Sequence, residues 1–398
     1  MLLQASVVDC VRQPRNPLCE LDLLWLFYCQ TWMKRSGRRS RCCPNPDCAF
    51  KGQSRKGNII RHSFYITTQG RRRRYRCKEC GRTFSSTHGT PYYRLHKPRS
   101  LFDEVVHMCV HGIGISAMAR IKRMSWGTVA RWLETAVAYA QRFNRRRLRG
   151  FVIYELQADE IRTFAGAKER VIWVLTTLEV WSRLGVSAVV GRRNFRNIKG
   201  VILNTLQRGR CERRFLFTTD GFEMYEWAVE RFLTGVCIYG QVIKKRRENR
   251  VVRVDRRLLL GTPAELEEAL FHSEDSSTLN TSFIERHNLA IRQGCSYLGR
   301  RTPCHARRTK FLEGQVAFLM AYYNFVRRHS ALRFGKTVRT PAMQAGLVRR
   351  RLSLRDVFTS QLAFFLVFLM VVVARYAKSD LRSVQFGYWR GHGSTTLA

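Results

Sequence analysis

The sequence predicts a multi-domain chain in which a small ribbon and a three-helix unit precede an α/β domain with a mixed sheet. Three observations support this fold class: two closely spaced cysteine pairs, a stretch of helical periodicity, and a long region where strand and helix patterns alternate. Single hydrophobic cores stop growing at roughly 250–300 residues, so a chain of 398 residues is expected to divide. The predicted divisions are a leader at 1–41, the ribbon at 42–97, the helical unit at 98–143, the α/β domain at 150–345 and an unassigned tail at 346–398.

The charge of the chain indicates a polyanionic partner. Lys and Arg number 71 against 29 Asp and Glu, which gives a formal net charge of +42. Hydrophobic residues make up 45% of the chain, enough to build folded cores, so the charge does not imply disorder. A folded chain with this surplus of cations repels itself unless a polyanion neutralises it. Nucleic acid is therefore the expected partner, whereas collagenous, acidic-tail and multi-span membrane proteins are excluded.

Cysteine usage and the N-terminus indicate a reducing compartment. The 13 cysteines are odd in number and mostly scattered, which does not suggest a secreted disulfide scaffold. Met1–Asp9 lacks the basic start of a signal peptide. A cytoplasmic location is therefore expected.

Two cysteine pairs predict a structural zinc site. Cys43 and Cys48 form a Cys-Pro-x-Pro-x-Cys turn, and Cys77 and Cys80 form a second short turn. Such spacings let each turn present two thiolates to a tetrahedral Zn²⁺ ion, and four protein ligands leave no open position for chemistry. The neighbouring Cys42 makes the first ligand ambiguous, and ordinary buried cysteines are the alternative. Four consecutive arginines of the same module are expected to grip phosphates: Arg71, Arg72, Arg73 and Arg74.

Residues 98–143 predict three helices with the geometry of a helix-turn-helix. Gly112 and Gly114 break the first helix, and Ser125 is placed to cap the third, in which Trp126 and Val129 begin an apolar face. The last helix of such a unit lies in the DNA major groove with its N-terminal end near the base edges. The exposed residues there would be Thr128 and Arg131. A plain three-helix packing unit is the alternative, because the pattern is weak by itself.

The region from 150 to 333 predicts the α/β domain. The predicted strands are Phe151–Ala158, Arg170–Thr177, Leu184–Val190 and Phe215–Thr219, and Tyr239–Lys244 and Val251–Leu260 read as a hairpin insertion. The predicted helices are 195–206, 222–232, 282–293 and 307–327. Three strands, a helix, a fourth strand and later helices fit an RNase H-like domain. In that architecture an acid on the first strand and one after the fourth lie side by side, and a third arrives from a later helix.

Three carboxylates occupy those positions: Asp159, Asp220 and Glu285. Carboxylates in this arrangement hold two hard divalent cations about 3.5–4 Å apart for in-line phosphoryl displacement. Each acid also has a structural alternative. Asp220-Gly221 resembles a hairpin turn, Glu285 is spaced from Ser282 as a capping-box acid, and Asp159 could pair with an arginine. If Glu285 is only a cap, Glu274 or Asp275 would be next as the third ligand.

The tail contains the continuously apolar run Leu362–Ala374. A membrane-spanning helix needs about 20 apolar residues, so a buried helix or strand is the preferred interpretation. We therefore expect no membrane partner.

Several motifs resemble the DDE transposases of insertion sequence one and their longer relatives. The most specific is Ile284-Glu285-Arg286-His287-Asn288 within 280–293, and Thr218-Thr219-Asp220-Gly221, Tyr323–Leu332 and Thr340–Met343 add to it. The resemblance covers about residues 42–345, and Arg328 stands where many relatives have Pro. The resemblance implies that Asp159, Asp220 and Glu285 are catalytic acids. It also implies cutting and joining of the element's own DNA ends, with the N-terminal modules recognising terminal repeats.

This reading predicts double-stranded DNA as the partner, both as terminal repeats and as target. The expected cofactors are structural Zn²⁺ and catalytic Mg²⁺ or Mn²⁺, and a homo-oligomer is expected on paired ends. Arg292, two turns after Glu285 on one helix face, is expected to hold a phosphate near the metals, although it could be an ordinary exposed arginine. Two alternatives remain open: a nuclease with the same scaffold but no strand transfer, and a DNA-binding regulator without chemistry.

Overall fold

The computed structural model describes residues 41–53, 56–68, 70–248, 250–273 and 275–360. The predicted leader, the apolar run Leu362–Ala374 and the fallback ligand Glu274 lie outside the described residues. The chain divides into two compact units. Among the described residues, one unit contains those up to Ile60 together with Cys77–Arg82, and the other contains Arg61–Arg76 and the residues from Thr83 onward.

A three-stranded sheet forms the N-terminal ribbon. Its strands, in spatial order, are β1 (Ile59–Thr67), β2 (Gly70–Cys77) and β3 (Thr83–Ser85). Strands β2 and β3 are antiparallel, and the rings of Tyr75 and Phe84 stack between them with centroids 6.0 Å apart. The sequence between the two cysteine turns predicts strands at His62–Thr67 and Arg74–Arg76, and both are present within the longer β1 and β2.

Three helices follow: α1 (Arg99–Val110), α2 (Ile115–Ile121) and α3 (Trp126–Arg147). Ser125 caps α3 as predicted, because its hydroxyl oxygen accepts the backbone N–H of Thr128 at 3.3 Å. The sequence Arg145–Arg149 predicts a basic linker, which is wrong in part, since α3 continues to Arg147. The prediction that Trp126 belongs to the apolar face is also wrong, because Trp126 is 56% exposed.

The α/β region is built on one mixed sheet of six strands. The strands are β5 (Glu155–Ala165), β6 (Ala167–Glu179), β7 (Leu184–Gly191), β9 (Phe215–Thr219), β10 (Cys237–Arg247) and β11 (Arg250–Leu260); the short β4 (Phe151–Val152) and β8 (Gly209–Arg210) pair separately. The spatial order is β11-β10-β9-β5-β6-β7. Strand β9 lies parallel to both β5 and β10, whereas the β5–β6, β6–β7 and β10–β11 pairs are antiparallel.

Two predictions about this sheet need correction. The predicted first strand was to end at Asp159-Glu160, but it breaks after Val152 and then runs through to Ala165, so both acids lie within β5. The pair Tyr239–Lys244 and Val251–Leu260 was expected to be an insertion, but β10 enters the central sheet as the neighbour of β9. Parallel pairing with β9 requires a crossover, which helix α5 supplies.

The remaining helices surround the sheet. They are α4 (Phe195–Leu206), α5 (Glu223–Phe232), α6 (Pro263–Phe271), α7 (Ser282–Gly294), α8 (Thr309–Phe325), α9 (Pro341–Gln344) and α10 (Leu354–Thr359), with a 3₁₀ turn at Ser296–Leu298 and a small hairpin of β12 (Arg333–Phe334) and β13 (Thr337–Val338). In the part of the chain that the structure describes, no helix is both long and apolar enough to cross a membrane.

One continuous hydrophobic core joins the three N-terminal helices to the α/β region. Phe143 of α3 meets Phe325 of α8 with ring centroids 4.8 Å apart. Phe358 of α10 packs between Phe102 of α1 and Phe318 of α8, at 5.8 and 5.9 Å. The three-helix unit is therefore not an independent lobe, and the first residues of the predicted unassigned tail contribute to the same core.

Candidate metal centres and active site

Four cysteines of the ribbon region meet at one point, as the spacing predicted. The sulphur atoms of Cys43, Cys48, Cys77 and Cys80 all lie within 4.8 Å of one another. The Sγ atoms of Cys43 and Cys80 are 3.5 Å apart, and those of Cys48 and Cys77 are 3.8 Å apart. A tetrahedral Zn²⁺ ion with Zn–S bonds of about 2.3 Å holds its sulphurs about 3.8 Å apart. The four cysteines can therefore bind zinc.

The surroundings of the cysteines favour metal binding. Cys43 is 1% exposed and belongs to the cluster, whereas Cys42 does not, which resolves the ambiguity at the first ligand. The side-chain amide of Asn58 donates to Cys77 Sγ at 3.3 Å. The backbone N–H of Arg82 lowers the pKa of Cys80 to about 6, whereas burial raises the pKa of Cys43 and of Cys48. Cys80 is therefore the thiolate of the group, and a metal would have to displace the protons of the two buried thiols.

Two acids converge from neighbouring parallel strands. Asp159 lies within β5, and Asp220 follows the last residue of β9. Because β5 and β9 pair in parallel from Glu155 to Gln157, their chains run in the same direction toward one edge of the sheet. Carboxylate oxygens of Asp159, Glu160 and Asp220 all lie within 4.8 Å of one another. The predicted juxtaposition of Asp159 and Asp220 is therefore present, with Glu160 as an unpredicted third member.

Glu160 has an almost completely enclosed side chain. Its side chain is only 2% exposed, and its pKa is raised to about 7 by burial and, next, by the negative charge of Asp220. The fully buried hydroxyl of Tyr225 lies beside it and opposes this rise by hydrogen bonding, although the geometry leaves this hydroxyl and Glu160 Oε1 incompletely paired. Buried oxygens are nearly always fully paired in native structures. An incompletely paired carboxylate oxygen in an all-oxygen donor set fits a hard divalent cation at this point.

Arg193 balances part of the negative charge of the acid cluster. It lies in the turn between β7 and α4, and its Nη2 atom is 3.1 Å from Glu160 Oε2 and 3.2 Å from Asp220 Oδ2. The guanidinium group stacks on the ring of Phe222, with 3.6 Å between Cζ and the ring centroid. The Arg193 guanidinium thus bridges Glu160 and Asp220. A bound divalent cation would balance the same negative charge.

Helix α7 brings further polar groups to Asp159. Asn288 donates from its Nδ2 atom to Asp159 Oδ2 at 3.0 Å, and its Oδ1 atom accepts the hydroxyl of Thr176 at 2.7 Å. Burial raises the pKa of Asp159, the backbone N–H of Glu160 and the amide of Asn288 oppose this rise, and the charges of Asp220 and Glu285 add to it. Asp159 is therefore oriented by hydrogen bonds in surroundings that disfavour its negative charge, a condition that a bound cation would relieve.

Glu285, the predicted third acid, lies in the first turn of α7 but outside the group of ligand atoms around Asp159 and Asp220. Its Oε1 atom accepts a hydrogen bond from the hydroxyl of Thr281 at 2.7 Å. The same carboxylate forms an ion pair with Lys244 of β10. The capping-box alternative is not met, because the N-cap residue is Thr281 rather than Ser282 and its side chain caps no N–H group. The N–H groups of Ser282 and Ile284 instead donate to Asn280 Oδ1 at 3.1 Å and Gln157 Oε1 at 3.0 Å. The charge of Glu285 thus acts on Asp159, but its carboxylate is paired with Lys244. The fallback ligand Asp275 instead pairs with Arg183.

The predicted DNA-contacting residues are distributed over several surfaces. Arg71 and Arg73 stack on the two sides of Phe64, at 3.8 and 3.5 Å from its ring centroid, and Arg74 lies over Tyr65 at 5.3 Å. Arg72 is only 8% exposed, so it does not project with the other three.

At the start of α3, Arg131 is exposed, but the hydroxyl of Thr128 is 2.7 Å from that of Ser125 and belongs to the helix cap. Arg292 of α7 donates from its Nη1 atom to the Leu298 carbonyl at 3.4 Å. It is half-buried, and this burial lowers its pKa, while the charge of Asp159 opposes the effect. Arg292 therefore lies within the electrostatic range of the acid cluster but is tied to the protein backbone.

The residues that sequence reasoning missed are Glu160, Arg193, Lys244 and Asn288. Glu160 directly follows a predicted acid, and Asn288 lies one turn after Glu285, so both carried a local signal. Arg193 and Lys244 carried none, because the chain holds 71 lysines and arginines and nothing local distinguishes these two.

Comparison with known proteins gives no close relative. No protein-family model matches the chain, and no curated protein matches its sequence. Among solved structures, it is similar to the simian T-cell lymphotropic virus intasome in complex with PP2A regulatory subunit B56 gamma, with 11% identity and a TM-score of 0.27 over 58% of this chain and 70% of that chain. It is also similar to the piggyBac transposase synaptic complex with hairpin DNA, with 11% identity and a TM-score of 0.30 over 74% of this chain and 77% of that chain.

Proposed function

We propose that the chain is a DNA transposase of the DDE type, which cuts the ends of its own element and joins them to target DNA. The observation that carries the proposal is the meeting of Asp159 and Asp220 from two parallel strands, within a chain whose net charge is +42. Acids are scarce in this chain, so their concentration at one point of a cationic molecule indicates a cation site used on a polyanion.

Each side chain of the site would have a separate role. Asp159 and Asp220, with Glu160 beside them, would hold Mg²⁺ or Mn²⁺, and Glu285 would complete the set once released from Lys244. A bound divalent cation supplies charge for the attacking and leaving oxygens of a phosphodiester. Asn288 orients the Asp159 carboxylate through its 3.0 Å hydrogen bond. Arg193, within reach of the same acids, is placed to hold a phosphate oxygen.

The N-terminal part would supply DNA recognition. The sheet arginines Arg71, Arg73 and Arg74 and the exposed Arg131 present cations that suit phosphate contacts. The four cysteines would hold Zn²⁺ as a structural ion that fixes the ribbon. Helix α2 and helix α3 are arranged in sequence as in a helix-turn-helix, with the N-terminal end of α3 as the proposed reading element. Assembly of two or more copies on paired ends is part of this proposal.

The test is substitution of each proposed acid by its amide. Asp159→Asn, Asp220→Asn and Glu285→Gln should each abolish nicking and joining of duplexes that carry the DNA bordering the coding sequence, in Mg²⁺ or Mn²⁺. An amide keeps the size of the side chain but loses the anionic oxygen that a divalent cation requires. DNA affinity, measured by fluorescence anisotropy, should remain within about twofold, since it rests on Lys and Arg contacts.

Glu169→Gln, which removes the same charge from an exposed position of β6, is the matched control and should act normally. Cleavage without joining in the unmodified protein would identify a nuclease. Binding without any cleavage would identify a regulator. Normal cleavage by Glu285→Gln alone would remove that residue from the catalytic set.

A further inference from the structure

The hairpin of β10 and β11 extends beyond the central sheet. Strand β10 pairs with β9 only from Cys237 to Gln241, and from Val242 to Arg247 its described partner is β11 alone. At about 3.3 Å per residue, those six residues carry the hairpin about 20 Å past the end of β9. We call residues 242–257 the basic arm.

The basic arm carries a dense positive charge. Its sequence contains eight basic residues, Lys244, Lys245, Arg246, Arg247, Arg250, Arg253, Arg256 and Arg257, against the two acids Glu248 and Asp255. The side chains of Lys245, Arg247, Arg250 and Arg253 are exposed. Asp255 is the only acid paired within the described arm, with Lys245 at 3.5 Å and Arg253 at 2.5 Å.

The register of the hairpin places like charges directly opposite each other. Lys245 lies across from Arg253, and Arg247 lies across from Arg250. Side chains opposite each other in an antiparallel pair have Cβ atoms about 4.5–5.5 Å apart, and like charges there destabilise the hairpin. Asp255 already pairs with both Lys245 and Arg253, whereas Arg247 and Arg250 form no ion pair among the described residues. A merely solvated hairpin gains nothing from the second pair, whereas a row of phosphates would neutralise it. The charge pattern therefore points to a polyanion as the ligand of the arm.

The base of the arm is connected to the proposed active site. Lys244 forms an ion pair with Glu285 and donates to the Thr281 hydroxyl at 3.1 Å. Next to it, Gly240 packs so closely that a Cβ atom there would lie 2.6 Å from Leu279 Cδ1, and Arg256 donates to the Leu279 carbonyl at 2.9 Å. These contacts fix the base of the arm against the segment that leads into α7, which carries Glu285.

We propose that the basic arm binds the phosphate backbone of duplex DNA and that Lys244 then exchanges Glu285 for a phosphate, which frees Glu285 to face Asp159 and Asp220. The exchange replaces one anionic partner of the ammonium group by another, so Lys244 keeps a charge-assisted bond throughout. Lys244 is thus a positioning residue that couples DNA binding to completion of the metal site. The choice of DNA as the polyanion rests on the proposed function; the charge pattern itself does not.

The first experiment removes charge from the arm. Lys245, Arg247, Arg250 and Arg253 are changed together to Gln in the full chain, and binding to a 30-base-pair duplex is measured against salt in buffer without Mg²⁺ or Mn²⁺. Each lost phosphate contact lowers the slope of log K against log salt by about 0.9, so a decrease of about 3.6 is expected for four lost contacts, with affinity at least about tenfold weaker at 100 mM salt. The matched control changes Arg213, Arg231, Arg333 and Lys336, which are also exposed, and should alter the slope by less than about 1.

Equal effects of the two sets would overturn the arm as a DNA-binding surface. The arm would also be overturned as a DNA-binding surface if the arm variant bound DNA normally but changed its sedimentation mass. That result would mean that the edge strand β11 contacts a second copy of the chain. Because binding is measured without Mg²⁺ or Mn²⁺, this result is independent of cleavage. If the unmodified protein does not nick DNA but the arm variant still binds DNA more weakly, only the proposed chemistry would be refuted.

The second experiment tests the exchange at Lys244 through Mn²⁺ binding, measured by calorimetry with and without the duplex. In the unmodified protein, DNA should increase Mn²⁺ affinity by about tenfold, a usual size for coupling between two sites. Lys244→Gln should show the higher affinity without DNA and lose most of the DNA effect, whereas Lys336→Gln, at an exposed position outside the arm, should retain it. A Lys244→Gln protein whose Mn²⁺ affinity responds to DNA as the unmodified protein does would refute the coupling.

Discussion

At the scale of single residues, the acid cluster has more members than the proposed reaction strictly requires. Asp159 and Asp220 meet as expected, but their nearest acidic neighbour is Glu160 rather than Glu285. Glu160 is buried, bridged to Asp220 through Arg193, and left with one incompletely paired oxygen among the described residues. An acid kept in such surroundings costs stability unless a cation is bound for part of the time. We therefore expect Glu160 to contribute directly to metal affinity.

The corresponding prediction concerns Glu160→Gln. The amide keeps the shape of the side chain and is less costly to bury than a carboxylate, so the melting temperature without metal should not fall. Mn²⁺ affinity measured by calorimetry without DNA should weaken by about tenfold or more, in the range that mutations at metal sites produce. Glu169→Gln serves again as the exposed control. A Glu160→Gln protein that binds Mn²⁺ normally, while Asp159→Asn does not, would mean that Glu160 is only a structural partner of Arg193.

Sequence reasoning identified Asp159 and Asp220 because their positions follow from strand order, which is encoded in periodicity. It missed Glu160 because consecutive strand residues face opposite sides of a sheet, so only one of an adjacent acid pair is normally assigned to a site. Here both carboxylates reach Asp220 because β9 ends beside them, leaving the edge of β5 open. That opening is a property of the assembled sheet and has no counterpart in the local sequence.

At the scale of elements, the ribbon shows how a short spacing can determine a site. The two cysteine turns bring four sulphur atoms within 4.8 Å with few other groups to support them. Among the residues that the structure describes, the buried cluster around the cysteines has Phe50 and Ile59 as its further apolar neighbours. So small a core cannot stabilise a fold by hydrophobic burial alone, and a bound metal would supply the missing stability.

The zinc prediction follows from this dependence. In the full chain, Cys77→Ser should lower the zinc content well below the one equivalent expected for the unmodified protein, because a serine hydroxyl is a poor replacement for a thiolate. Cys42→Ser, at the cysteine that lies outside the cluster, is the matched control and should retain the metal. Metal analysis by mass spectrometry provides the measurement. Equal zinc content in the two variants would exclude the four-cysteine site.

Other elements show where periodicity was insufficient. The pattern of β10 and β11 indicated a hairpin correctly, but its entry into the central sheet beside β9 depends on the crossover through α5, which no short-range pattern reveals. Likewise, Leu354–Thr359 had no apparent partner in the sequence. In the structure its Phe358 is fully buried against Phe102 and Phe318, which lie more than two hundred residues apart in the chain. Packing between residues far apart in the chain therefore determines the position of this helix, and the local sequence pattern does not reveal it.

At the scale of the whole molecule, the surplus of 42 positive charges is the property that most constrains behaviour. The same charges that attract a polyanion repel one another in the folded state, since the compact state holds them closer together than the unfolded chain does. Screening by salt relieves this repulsion and, at the same time, weakens binding to nucleic acid. Salt should therefore act on the stability of the free and the DNA-bound protein in opposite directions.

This opposition gives a prediction for thermal unfolding. Between 50 and 300 mM NaCl, the melting temperature of the free protein should rise, because the native state loses self-repulsion. With a 30-base-pair duplex in excess, the melting temperature should be higher at low salt and should fall toward the free value as salt increases. A ligand that binds only the native state stabilises it by RT ln(1 + [L]/Kd), and Kd for a protein with 6–10 phosphate contacts weakens by about 10³–10⁵ between 50 and 200 mM salt. Differential scanning fluorimetry across the salt series measures both curves. Curves that fall together would mean that the positive charges are balanced within the fold, and curves that rise together would mean that the duplex does not bind.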